Sequence, residues 1–150
     1  MITCLRVNSD NADFQALVHE LDAFLAVING SQDAFFRQFN KIENIKHVVV
    51  AYENDIPVGC GARKEYAEDR MEVKRMFVYP EKTGRGIASL ILSELESWAG
   101  ELQYRKCILE TGEVLKEAIQ LYKKSNYDVI PNYGQYKEVT TSVCFEKVLH

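Results

Sequence analysis

Apolar residues return every three to four positions over residues 12–28, at Phe14, Leu17, Val18, Leu21, Leu25 and Ile28. That period predicts an amphipathic helix. Ahead of it ITCLRV (2–7) reads as a strand, and Asn8, Ser9 and Asp10 offer N-cap side chains. Asn29-Gly30 supplies the stop, and QDAFFRQFNKI (32–42) predicts a second, shorter helix. The pattern then changes. HVVVAYE (47–53) is a β-branched strand, Asn54-Asp55 a turn, and IPVGCGARKEY (56–66) the returning strand. A further turn near Ala67–Asp69 leads into MEVKRMFVY (71–79). Three sequential strands on short links predict an antiparallel meander. The helical stripe reappears over about 84–101 as Ile87, Ile91, Leu95, Trp98 and Leu102, widened by Ala88, Leu92 and Ala99. KCILET (106–111) reads as a fully buried strand. Because it follows a helix, it should lie parallel to 71–79 through a right-handed crossover. A helix over about 115–125 ends near Asn126, a short strand fits 128–130, and SVCFEKVL (142–149) is the last strand. The order is β-αα-βββ-α-β-α-β, an α/β (α+β) mixed sheet. With no repeat, low-complexity tract or linker, residues 1–150 read as a single domain.

Composition narrows the partners. Apolar residues make up 47% and charged residues 27% of the 150, an ordinary globular balance. The net charge of -4 argues against nucleic acid or an anionic membrane. No apolar run approaches the roughly 20 residues of a membrane span, and the N-terminus carries no signal pattern. Cys4, Cys60, Cys107 and Cys144 form no CxxC pair and sit in apolar runs, which favours buried free thiols over disulfides or metal ligands. His19, His47 and His150 show no metal-ligand spacing, so no metal is expected. These features fit a cytoplasmic protein.

MFVYPEKTGRGIASLI (76–91) raises a sharper question, because Lys82 and Arg85 stand at the start of a helix. Cations there oppose the helix macrodipole, and a bound anion would account for them. Helix-start amides lack intrahelical partners, and Gly84 and Gly86 would let a phosphate approach them. A plain tight connection with solvated cations explains the turn equally well. No lysine follows Gly86, which excludes a GxxxxGK[ST] P-loop. GRGIAS comes near a dinucleotide fingerprint, with Ser89 at the third glycine and Glu110 ending the next strand. The intervening PEKT and the single parallel crossover weigh against it.

Thr83-Gly84-Arg85-Gly86-Ile87-Ala88 resembles the [QR]-x-x-G-x-[GA] signature of the GNAT superfamily of acetyl-CoA-dependent N-acetyltransferases. The lead-in VKRMFVYPE, the later ILETGEVLKEAIQLYKKSNY and the strand order are similar to the same family, over about residues 47–130. The resemblance implies a GNAT-like acyl-CoA N-acyltransferase fold with a splayed central strand pair. It implies that Met76, Phe77 and Val78 present backbone groups to the pantetheine arm, and that the segment Thr83 to Ala88 holds the pyrophosphate. Tyr122, in LYKK, falls on the family's late-helix tyrosine, and Glu72 on a strand glutamate used as base in one branch. Thr83 replaces the usual Gln or Arg and reads instead as an N-cap. Leu115 stands where asparagine is frequent, and Ser125-Asn126-Tyr127 where glycine before an aromatic is common.

Amine acetylation needs a neutral amine, a polarised thioester carbonyl and a protonated leaving thiolate. Glu72 is the candidate base; otherwise it is a solvated carboxylate paired with Lys74 or Lys64. Tyr122 is the candidate acid; otherwise it is a core aromatic. A main-chain amide near Val78 could meet the oxyanion. IPNYGQY (130–136) places Tyr133 and Tyr136 as candidate acceptor-binding residues, with Phe35, Phe36 and Phe39 as an opposite wall or as ordinary packing. The implied activity is direct acetyl transfer from acetyl-CoA, in a ternary complex, to a small-molecule primary amine or an amino-terminal group. A homodimer is left open. A non-catalytic acyl-CoA-binding module of the same fold and a dinucleotide-binding protein are the rival readings.

Overall fold

A computed structural model describes residues 1–39, 41 and 44–149. Its elements are β1 (Ile2–Val7), α1 (Ala12–Asn29), α2 (Asp33–Arg37), β2 (His47–Glu53), β3 (Ile56–Ala67), β4 (Arg70–Val78), α3 (Ile87–Glu101), β5 (Lys106–Gly112), α4 (Lys116–Lys124), β6 (Asp128–Ile130) and β7 (Ser142–Val148). Single 3-10 turns cover Gly30–Gln32, Pro80–Lys82 and Gly134–Tyr136. The seven strands form one mixed sheet in the order β1-β2-β3-β4-β5-β7-β6. β1 pairs antiparallel with β2, and β2 with β3. β4 and β5 are parallel, as a helical crossover requires. Their register runs from Arg70↔Lys106 to Glu72↔Ile108, while β4 continues to Val78 and β5 to Gly112.

The chain divides into two compact units, Met1–Lys64 with Lys74–Leu95, and Glu65–Val73 with Glu96–His150. In the first, Phe14, Leu17 and Val18 of α1 pack with Ile45, Val48, Val50, Cys60 and Ala62, and with the partly buried Val7, Tyr52, Phe77 and Tyr79. The burial of such side chains contributes about 1.5–3 kcal/mol each. In β4, Arg75 takes a left-handed φ of 56° and pairs its buried guanidinium with Asp22 of α1. In the second unit, Tyr122 of α4 packs its ring on Tyr127 and Phe145. Glu96 accepts hydrogen bonds from Tyr127 and Lys147.

Several boundaries differ from the sequence reading. Asn11, not Asn8 to Asp10, caps α1, its side chain accepting from the Phe14 amide at 2.9 Å. Asn8 instead turns its side chain onto the Asp10 amide, a local bond that competes with capping. The core stripe of α1 stops at Leu21, and Ile28 is exposed. α2 ends at Arg37; Asn40 and Ile42, the end of the longer helix expected there, lie outside the described residues. α3 starts at Ile87 rather than near 84, because Gly84 and Gly86 hold φ of 77° and 81°, and Leu102 at its far end is exposed. The end of α4 is as expected, with Asn126 in the left-handed conformation. All four cysteines are free; Cys60, Cys107 and Cys144 are buried and Cys4 is half-buried.

Candidate active site

The turn ahead of α3 is built from short-range bonds. The Thr83 hydroxyl donates to the Pro80 carbonyl at 2.8 Å, closing the 3-10 turn. Thr83 is therefore not the N-cap of α3; Gly86 accepts the first helical bond, from the Leu90 amide at 3.1 Å. The amides of Ile87, Ala88 and Ser89 precede that bond and have no intrahelical carbonyl to use. A Cβ on Gly84 or Gly86 would meet nothing within 4 Å, so positive φ, not crowding, requires glycine there. The buried Ile87 side chain anchors the helix start, while Gly84, Arg85 and Gly86 stay exposed. Met76, Phe77 and Val78 are the half-buried last residues of β4, past the paired register with β5. The turn region thus offers amides with no intrahelical acceptor, open space above two glycines and two cations, which suits a phosphate.

Those cations are not free in solvent, as the plainer reading of the turn had them. The Lys82 ammonium donates to Glu53 Oε1 at 2.7 Å, and the Arg85 guanidinium forks onto both Glu53 oxygens. Arg85 and Lys82 together hold the Glu53 carboxyl down at about 2. Glu53 was not legible as a site residue. It ends a strand beside a turn, where an acidic side chain ordinarily signals nothing.

A second cluster lies in the other unit. Glu72 is 4% exposed, and the Tyr133 hydroxyl donates to its Oε2 at 2.6 Å. Glu72 is therefore not the solvated strand carboxylate that the alternative reading described. Tyr133 meets Tyr66 and Tyr136 edge-on, with ring centroids 5.1 and 5.9 Å apart. Tyr136 itself is buried. Gly134 sits at φ 53°, and a Cβ there would come within 3.1 Å of the Tyr66 hydroxyl, so a side chain there would be strained and would crowd Tyr66. Burial, then the Glu72 charge, pushes the Tyr133 phenol up. Burial, then Glu110, does the same to Tyr122 and to Tyr136, and Glu110 accepts from the Ser142 hydroxyl at 2.6 Å. Among the described residues nothing hydrogen-bonds the Tyr122 hydroxyl, and the side chain is 6% exposed. A phenol raised in this way stays protonated across neutral pH and can donate. Phe35 stacks edge-on with Phe36 and Phe39 at 5.2 and 5.3 Å. Among the described residues no group of three His, Cys, Asp or Glu side chains could hold a metal ion, and no helix is long and apolar enough to cross a membrane. His150 lies outside the described residues.

The pattern of the Acetyltransferase (GNAT) family matches residues 14–127, well over half of the chain. The chain belongs to the GNAT acetyltransferase family. Among its GNAT relatives, an IAA acetyltransferase from Azospirillum brasilense is 30% identical over 135 residues, covering 89% of this chain and 88% of that one. The crystal structure of a protein classed as an acyl-CoA N-acyltransferase from Klebsiella pneumoniae superposes with a TM-score of 0.84 at 27% identity, covering 100% of this chain and 99% of the other. A PaiA N-acetyltransferase from Thermoplasma acidophilum, solved in complex with coenzyme A, shares the GNAT fold with a TM-score of 0.70 at 15% identity, each chain covered to 99%.

Proposed function

We propose that this GNAT protein moves the acetyl group of acetyl-CoA directly to the primary amine of a small molecule, or to an amino-terminal group, within a ternary complex. The observation that carries the reading is the Gly84–Gly86 turn opening onto the amides of Ile87, Ala88 and Ser89. In this reading those amides, with Thr83, Arg85 and the two glycines, hold the pyrophosphate, and the backbone of Met76, Phe77 and Val78 holds the pantetheine arm. Bound acetyl-CoA supplies the activated acyl group as a thioester. Glu72, with one oxygen held by Tyr133, takes the proton from the incoming ammonium so that the nitrogen can attack. Tyr122, kept protonated by burial, delivers its proton to the departing thiolate. An amide near Val78 meets the negative charge on the carbonyl oxygen. Tyr133 and Tyr136 shape the acceptor side. The Thermoplasma relative's bound coenzyme A supports the cofactor, and the Azospirillum relative's name supports a small-molecule acceptor.

Two measurements test this. CoA at about 100 times its dissociation constant should stabilise the fold by about 2.7 kcal/mol, read as a thermal shift. A shift with NAD and none with CoA would refute the reading. A panel of primary amines should then release CoA thiol with at least one member. CoA binding with no thiol release from any amine would leave only the binding module.

A further inference from the structure

Glu53 lies outside the signature that marks the pyrophosphate turn, yet it touches both of the turn's cations. Lys82 Nζ is 2.7 Å from Oε1, Arg85 Nη1 is 3.2 Å from the same oxygen, and Arg85 Nη2 bonds Oε2. Two further features fix this acid in place. Asn54 and Asp55, at φ 51° and 68°, make a tight turn of the I′ kind immediately after Glu53, and a register shift between Ala51 and Tyr52 re-aims the end of β2. The β2–β3 hairpin is also pinned against the segment that leads into the turn. The Tyr79 amide donates to the Val58 carbonyl at 3.1 Å, and a Cβ on Gly59 would lie 2.9 Å from the Phe77 carbonyl oxygen.

The electrostatics of the turn explain what such an acid does. The N-terminus of α3, Lys82 and Arg85 bring three positive contributions to one short segment, and they repel one another. Left alone, an Arg85 side chain that is 46% exposed would swing into water. A two-oxygen fork fixes the guanidinium plane and leaves other N–H groups of the same guanidinium available. The cost is one negative charge near an anionic ligand. That charge is only 15% exposed but is balanced by the two cations it bonds, whereas releasing their long side chains would cost the entropy of ordering them again on the ligand.

We infer that Glu53 is a positioning residue for the pyrophosphate: it holds Lys82 and Arg85 against the Gly84–Gly86 turn so that both cations meet the ligand in place. The inference rests on the proposed reading of that turn. Its test is a double-mutant cycle on CoA binding, measured by calorimetry, with melting temperatures recorded alongside. Glu53→Gln should weaken CoA binding about five- to tenfold, the scale of immobilising one or two long side chains. Glu53→Asp keeps the charge but shortens the reach, and should weaken binding in the same direction. In a Lys82→Ala/Arg85→Ala background, Glu53→Gln should change the affinity by less than about twofold, because a residue acting through those cations has nothing left to act on. Unchanged or tighter binding in Glu53→Gln alone would overturn the inference and make Glu53 a competitor of the phosphate. An equal loss in both backgrounds would overturn it too, leaving a general structural effect. If Gly86→Val and Lys82→Ala/Arg85→Ala both bind CoA like wild type, the reading of the turn itself has failed instead.

Discussion

Gly86 and Gly100 permit a comparison in which only the backbone angle differs. A Cβ added at either glycine meets no atom within 4 Å, so neither site is closed by packing. Gly86 sits at φ 81° ahead of α3, whereas Gly100 lies within the helix. Forcing an L side chain into the left-handed region costs about 1–2 kcal/mol. In a chain of this size each kcal/mol moves Tm by roughly 2–4 °C. Gly86→Ala should therefore melt about 2–8 °C below wild type. Gly100→Ala should melt at or a few degrees above it, because alanine in a helix gains about 0.5–1 kcal/mol over glycine. The functional consequence separates the pair further. The methyl group at Gly86 would occupy the open space beside the helix-start amides, so CoA affinity should fall about tenfold or more, a loss of at least 1.4 kcal/mol. The bulkier Gly86→Val should leave no measurable binding while the protein still folds. Gly100→Ala should bind CoA as wild type does. Differential scanning calorimetry and isothermal titration give both numbers on the same samples. Equal melting of the two alanine variants would refute the φ argument. Wild-type CoA affinity in Gly86→Val would place the pyrophosphate elsewhere.

Two other outcomes are expected. Tyr122→Phe removes a hydroxyl with no protein hydrogen-bond partner among the described residues and keeps the ring contacts with Tyr127 and Phe145, so stability and CoA affinity should hold. Its kcat should fall toward the lower part of the 10²–10⁴ range that general acid catalysis is typically worth, and full activity would leave Tyr122 as a packing residue. The Glu53 carboxyl is depressed to about 2, so its contribution to stability is complete above its unfolded pKa and is lost as pH falls through that folded value. The melting temperatures of wild type and Glu53→Gln should differ near neutrality and converge as pH drops toward 2. A constant offset across that window would show that the ion cluster is not the source.

The order of elements was legible because the apolar period changes from 3.6 to 2 and back at each boundary, and because β-branched runs such as HVVVAYE admit one reading. What failed were the ends. Asn8, Ser9, Asp10 and Asn11 can all cap, but the Asn8 side chain accepts from the Asp10 amide and it is Asn11 that accepts from the Phe14 amide. The apolar stripe of α3 can be drawn back to residue 84, but a stripe carries no information about the sign of φ at Gly84 and Gly86. The anion-ready turn was visible from its own residues, since its parts are adjacent in the chain. The pairings around it were not. Tyr133 reaches Glu72 across 61 positions, and Arg85 reaches Glu53 across 32, distances at which periodicity is silent and only the folded sheet decides neighbours. Tyr133 was expected as an acceptor-side residue, but its bond to Glu72 required the fold of the loop at Gly134 to be seen.

The order β1-β2-β3-β4-β5-β7-β6 leaves the sheet two unlike borders. At one, β6 has three residues, Asp128–Ile130, and is followed at once by Pro131, which has no amide to donate. That border is too short and too interrupted to template another strand. At the other, β1 runs six residues from Ile2 to Val7, with Leu5 about half exposed. Of these two borders, the amino-terminal strand is therefore the better template for association of copies by strand addition, whether an ordered pair or an aggregate.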